Sequence, residues 1–135
     1  MAIEYVKVKR LISVGRTPGE KFLARIKRGQ MISEKELCDE IAESCTLTRG
    51  EVKLVIEQLQ YNITRHARNG ESVKLNDLGI FYPEIKATAM DSADAVTADT
   101  IKDKKLRFRA NVETVKAMKS SELKLANMQI NGLQQ

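Results

Sequence analysis

The apolar positions of residues 33–69 repeat with the period of two helices joined by a very short connection. "SEKE" at 33–36 has the spacing of a capping box, and apolar residues then recur every three or four positions. "TRGE" at 48–51 opens a second, longer stripe of the same period. Asn69 and Gly70 favour a helix end, because glycine readily adopts the left-handed cap conformation. The pattern predicts an αα-hairpin.

Apolar residues that alternate with polar ones predict strands on both sides of this hairpin. Before it, residues 3–14 alternate, and a Gly- and Pro-rich turn follows. Residues 20–30 fit a second strand better than the alternative, a helical turn. After it, the same period-two pattern appears in residues 71–76, 79–86 and 101–109. Strands and helices are therefore not interleaved one by one, which is typical of an α+β fold.

The remaining segments carry weaker signals. Residues 87–100, "ATAMDSADAVTADT", are small, polar and acidic, which predicts a loop or the tip of a hairpin. Asn111 is placed to cap a last helix. Residues 120–135 contain apolar side chains in no firm pattern. The sequence thus predicts an ordered region followed by a tail.

The composition restricts the core and the kind of partner. The 135-residue chain is 42% hydrophobic but only 4% aromatic, and it contains no Trp. Its core must be aliphatic, and aromatic platforms that stack single-stranded bases are not expected. A net charge of +5 and a pI of about 9.3 point towards an anionic partner, most commonly nucleic acid, but a charge this modest, taken alone, fits an ordinary basic cytosolic protein better.

The charge is arranged in blocks of opposite sign. Residues 1–30 carry net +6, residues 31–101 net −6, residues 102–119 net +5, and residues 120–135 are neutral. Such blocks predict an oriented electrostatic surface, which is more informative than the total.

Candidate chemistry is sparse. Cys38 and Cys45 would lie about 10 Å apart along one helix, too far to bridge, and free thiols suit a reducing compartment. His66 is the only histidine, and no metal-spaced cluster, phosphate loop or nucleophile motif occurs. No run has transmembrane length. The sequence predicts a cytoplasmic, non-enzymatic protein without cofactor, metal, membrane contact or small-molecule substrate.

One predicted strand carries a row of cations. Lys105, Arg107 and Arg109 share a face by the two-residue period, about 7 Å apart, which suits a row of phosphates. The alternative is a solvated edge strand on which lysine blocks unwanted pairing. The basic residues of the N-terminal 30 residues are weaker candidates, because their positions fit either face.

The order of elements over residues 31–86 resembles the HU/integration-host-factor family of bacterial histone-like DNA-binding proteins. The run V-x-L-x-x-x-G-x-F at 73–81 resembles that family's signature. The resemblance implies an intertwined homodimer with an αα-hairpin base and a three-stranded antiparallel sheet, whose β-arm embraces the DNA minor groove. Gly79 would then permit a tight, close-packed turn, and Phe81 would fill the dimer core.

The resemblance also implies a domain organisation. Residues 1–30 would form an N-terminal β extension, as in the HU-related branch of the family, and residues 31–119 the HU-like DNA-binding domain. Residues 120–135 would be the C-terminal tail. We therefore expect a nucleoid-associated homodimer that binds double-stranded DNA mainly through phosphates, with little sequence specificity.

The arm departs from the family's pattern. Family arms are basic and end in an Arg-Asn-Pro tip whose proline wedges between base pairs. Here residues 83–101 carry net −3 and contain no proline after Pro83. We therefore place the DNA contacts at the base of the arm and on the last helix, at Lys86, Lys102, Lys104, Lys105, Arg107, Arg109, Lys116 and Lys119.

The acidic arm and the added N-terminal strands leave a second hypothesis open. An HU-fold dimer without DNA binding could serve as a structural or protein-interaction module. Exposed strand edges of the extension would then recruit another chain by β-addition.

Overall fold

The structure, a computed structural model, describes residues 1–16 and 18–126. Its described residues form two compact units, one from residues 1–31 together with residues 117–126, the other from Ile32–Lys116. The predicted tail lies outside the described residues from 127 onward. In chain order the elements are β1 Ala2–Ile12, β2 Gly19–Ile26, α1 Glu34–Ser44, α2 Arg49–Arg68, β3 Val73–Leu75, β4 Gly79–Ala87, β5 Ile101–Ala110, α3 Val112–Lys119 and β6 Glu122–Leu125.

The first unit is a three-stranded sheet in the order β2-β1-β6. β1 pairs antiparallel with β2, whereas β6 runs parallel to β1 and places Leu123 beside Ile3. Val6 and Val8, each 2% exposed, form its core together with Ala126. Residues 122–125, which carry no firm pattern in the sequence, therefore form an exposed edge strand beside β1.

An ion pair fastens the open end of the β1–β2 hairpin. Lys27 Nζ donates to Glu4 Oε2 at 2.8 Å, and the Lys27 backbone N–H donates to the Glu4 carbonyl at 2.8 Å. The hydrogen bond and charge of Lys27 lower the pKa of the Glu4 carboxyl. Both side chains are partly exposed, so this ion pair adds little to the free energy of unfolding, and we assign it the role of positioning the two strand ends.

The second unit begins with the predicted αα-hairpin. Both capping boxes are complete: Ser33 Oγ accepts from Glu36 N at 3.2 Å, and Thr48 Oγ1 accepts from Glu51 N at 3.2 Å. These bonds satisfy backbone donors that the first helical turn leaves unpaired. The two predicted helix starts are therefore confirmed.

The end of α2 explains why β3 is shorter than the alternation over 71–76 predicts. Gly70 has φ +79°, and the Glu71 N–H donates back to the His66 carbonyl at 3.0 Å. Because this bond belongs to the helix cap, the chain becomes extended only at Val73.

The second sheet has the order β3-β4-β5 and is antiparallel throughout. β4 and β5 form a long hairpin in which Phe81 lies opposite Phe108, with ring centroids 4.8 Å apart. The segment 88–100 connects them through two single-turn 3-10 helices, and Thr88 N donates to Thr100 O at 2.9 Å. The mixed α+β class is confirmed.

Gly79 opens β4 where no side chain fits. Its φ is +148°, and a Cβ there would overlap the Arg109 carbonyl oxygen and lie 2.9 Å from the Phe108 ring. The close approach of two backbones therefore requires glycine at this point of the predicted motif.

We expect Gly79→Ala to destabilise the fold by roughly 2 kcal/mol or more, because the new Cβ meets backbone at a positive φ. Denaturant unfolding at fixed protein concentration measures this. Gly50→Ala is the matched control, since nothing lies within 4 Å of its Cβ position in α2. Equal stability of the two variants would contradict the close approach.

Candidate nucleic-acid interface

The β3-β4-β5 sheet has two chemically different faces, which the register defines. One face is apolar, carries Phe81, Pro83, Leu106 and Phe108, and faces the end of α2. The opposite face is cationic. Its cations, called the cationic face below, are Lys74, Lys86, Lys105, Arg107 and Arg109.

The cationic face gathers charge from three strands. Lys74 lies opposite Ile80, which lies opposite Arg109, so one row across the sheet has a cation at each end. The three β5 cations recur every second residue, about 7 Å apart. All five cations are exposed, which leaves them accessible to a ligand.

Two carboxylates on the cationic face partly neutralise its positive charge. Arg107 Nε lies 3.0 Å from Glu84 Oε2, and Lys105 Nζ lies 3.5 Å from Asp103 Oδ2. The register places Glu84 and Asp103 on the same face as their partners. The face therefore has net +3, and the Glu84–Arg107 pair holds the guanidinium in place while reducing its attraction for an anion.

Lys102 and Lys104, predicted with this group, do not lie in the row. Lys104 lies opposite Ile85 on the apolar side, where it lines a groove of about 590 Å³ together with Arg68 at the end of α2. Lys102 is the unpaired residue at a bulge, since Lys86 pairs with Asp103 and Ala87 with Ile101. The place of Lys104 agrees with the two-residue period, which puts it on the face opposite to Lys105, whereas the bulge leaves Lys102 outside the regular pairing.

The two predicted cations of α3 follow a well-fixed helix start. Asn111 Oδ1 accepts from Thr114 N at 2.8 Å, and Asn111 Nδ2 donates to the Asn76 carbonyl at 3.1 Å. The cap thus ties α3 to the turn before β4. Lys116 and Lys119 lie three residues apart on one side of this helix, and Lys119 belongs to the first unit.

Lys74 is the residue that the sequence reasoning missed. It lies in the middle of the three-residue strand β3, between the half-buried Val73 and Leu75. The alternation V-K-L contained the signal, because a polar residue between two inward-facing ones must face outward. Only the strand register shows that Lys74 lies beside β4.

His66 lies in a surface network at the end of α2. Its Nδ1 lies 3.1 Å from Glu71 Oε2, and its Nε2 lies 3.3 Å from Arg65. Within residues 1–16 and 18–126, no three metal-ligating side chains cluster. In the same residues, no helix combines the length and apolarity that crossing a bilayer requires.

Comparison with known proteins gives the family. The model of the HU-HIG family, described as an HU domain fused to wHTH, Ig, or glycine-rich motif, matches residues 1–125. The chain therefore belongs to this family of HU-domain proteins, which confirms the resemblance drawn from its sequence. No curated protein matches the chain.

A solved structure from Bacteroides vulgatus ATCC 8482 is similar in fold. That protein, described provisionally as a bacterial DNA-binding protein, superimposes with a TM-score of 0.59 at 18% identity. The alignment covers 89% of this chain and 47% of that one, so the chain spans about half the length of its structural relative. At this identity the similarity shows the fold alone.

We expect Glu84→Gln to strengthen binding to duplex DNA and to steepen its salt dependence by about one in log–log slope, because Arg107 loses its carboxylate. Fluorescence anisotropy across a salt series measures this. Glu43→Gln on α1 changes the net charge equally and is the control. Identical gains in the two variants would mean that total charge, rather than this face, sets the affinity.

Proposed function

We propose that this protein is a non-enzymatic, histone-like protein that binds double-stranded DNA mainly through its phosphates. The observation that carries the proposal is the cationic face, with its regular row Lys105, Arg107 and Arg109 on a rigid strand. Membership of an HU-domain family supports DNA as the polyanion. We place the protein in the cytoplasm, with the bacterial nucleoid.

The composition of the cationic face supports binding without sequence readout. Apart from charged residues, its described positions hold Ile80 and Tyr82, and no Asn or Gln stands among them. Amides are the side chains that read adenine in the major groove, whereas lysine and arginine bind either guanine or phosphate. The face therefore has no amide that reads adenine, and we assign its lysines and arginines to phosphates, which supports low specificity.

The apolar surface of the second unit supports a homodimer. Within its described residues, only Cys38, Val52 and Ile63 are buried apolar side chains, whereas Val55 is 56% exposed. Such a core is too small for a stable domain, and an uncovered helical stripe favours association. We propose that a second copy covers this stripe and aligns two cationic faces into one track, with the β4–β5 hairpins as the arms.

The connection at the end of the hairpin limits what this arm does. Asp91, Asp94 and Asp99 give the segment 88–100 a negative charge, which phosphates repel. We therefore assign the DNA contacts to the base of the hairpin and to α3. Wedging of a proline between base pairs is not part of the proposal.

Removal of Lys74 and Arg109, the two cations on either side of Ile80 in one row across the sheet, tests the DNA function. We expect Lys74→Gln with Arg109→Gln to weaken duplex binding and to lower the log–log salt slope by about two, because two phosphate contacts are lost. Lys35→Gln with Lys53→Gln on the helices is the charge-matched control. No binding of the wild-type protein to any duplex at about 50 mM salt would end the proposal.

Substitution of the exposed helical stripe tests the dimer. We expect Val55→Glu to raise the dimer dissociation constant by more than about tenfold, because a buried charge costs several kcal/mol at an apolar interface. Sedimentation velocity over a dilution series measures it. Val96→Glu is the control, because this valine in the segment 88–100 is equally exposed, at 58%. A wild-type chain that stays monomeric and folded at micromolar concentration would contradict the dimer.

A further inference from the structure

The first unit carries two cations directly opposite each other. Arg10 on β1 pairs in register with Lys21 on β2, next to Val8 opposite Leu23 on the same face. Side chains opposite each other on antiparallel strands lie about 5 Å apart at their Cβ atoms. Arg10 is exposed and Lys21 is half-buried, so the two charges are only partly screened by water.

Among the residues of this sheet that the structure describes, no carboxylate on the face of the pair is its neighbour in the register. The carboxylates that share the face, Glu4 and Glu122, lie at the other end of the sheet, and Glu4 is bound by Lys27. Glu20, which is adjacent to Lys21 in sequence, projects from the opposite face and pairs with Lys9 at 2.9 Å. Like charges placed opposite each other without a counter-charge are unfavourable, so this end of the sheet is suited to bind an anion.

We propose that Arg10 and Lys21 form a second phosphate-binding site, distinct from the cationic face, which rests on the proposed DNA function. A phosphate between them would take two hydrogen bonds from the guanidinium fork and one from the ammonium. The negative charge of the phosphate would also offset the repulsion between the two cations. Each subunit then binds the DNA backbone through both of its units.

The surroundings of the pair favour phosphate over an acidic protein. Protein interfaces have an apolar core. In this sheet the strongly exposed apolar side chains, Leu11, Phe22, Ile26 and Leu123, lie on the opposite face. Beside the Arg10–Lys21 pair this face exposes little apolar area, since Val8 is buried and Leu23 is 37% exposed, which suits contact with a nucleic-acid backbone.

The test compares two double variants with the same change of charge on the same sheet. Arg10→Gln with Lys21→Gln removes the proposed site, whereas Lys7→Gln with Lys9→Gln removes two cations from the opposite face. Duplex binding is measured by anisotropy over a salt series. We expect the first variant to lower the log–log slope by about two, and the control to leave it nearly unchanged.

Further measurements separate the ways in which the proposal can fail. Thermal unfolding checks that each variant is folded. If the Arg10→Gln, Lys21→Gln variant does not fold, Lys21→Gln alone takes its place, and we expect it to lower the log–log salt slope by about one. Equal slopes for the two double variants would overturn the second site while leaving the proposed function intact. Absence of wild-type binding would overturn both.

Competition by polyglutamate decides whether the bound anion is phosphate. We expect the inhibition constant of polyglutamate, corrected for each protein's own DNA affinity, to be the same for the wild-type protein and for the Arg10→Gln, Lys21→Gln variant. A polyglutamate affinity that depends on this pair more strongly than the DNA affinity does would overturn the phosphate assignment in favour of an acidic protein partner.

Discussion

The close approach of Gly79 to the backbone of Arg109 and Ala110 is the constraint on which the second sheet depends. It fixes the register of β4 against β5, and register decides which side chains share a face. A slip by one residue would move the β5 cations onto the apolar side and Phe108 into water. The charge pattern of the interface is thus a consequence of one tight backbone contact.

In both sheets, the positions of the carboxylates decide how much positive charge the neighbouring cations retain. In the second sheet, Glu84 and Asp103 share the face with the cations and moderate them. In the first sheet, Arg10 and Lys21 stand opposite each other with their nearest carboxylate, Glu20, on the other face. Intramolecular pairs orient cations and reduce their free charge, whereas unpaired neighbours retain it.

Local signals made part of this architecture predictable from the sequence. The capping boxes at Ser33 and Thr48 act within a few residues, so spacing alone revealed them. The close packing at Gly79 involves residues thirty positions away and was expected only from the family resemblance. The parallel pairing of β6 with β1 was not predictable, because short apolar runs carry no information about distant partners. Likewise, the bulge that leaves Lys102 unpaired was not predictable, because an extra residue in one strand shows only in its pairing with the other.

The parallel pairing of β6 with β1 also has a consequence for folding during synthesis. Leu123 lies beside Ile3, so β1 meets β6 only after the whole second unit has been synthesised. Contacts this distant in sequence form slowly, because a long loop must close first. One edge of β1 therefore lacks its partner until β6 is made, and charged residues of β1, Lys7, Lys9 and Arg10, disfavour edge-to-edge aggregation of the nascent chain in that interval.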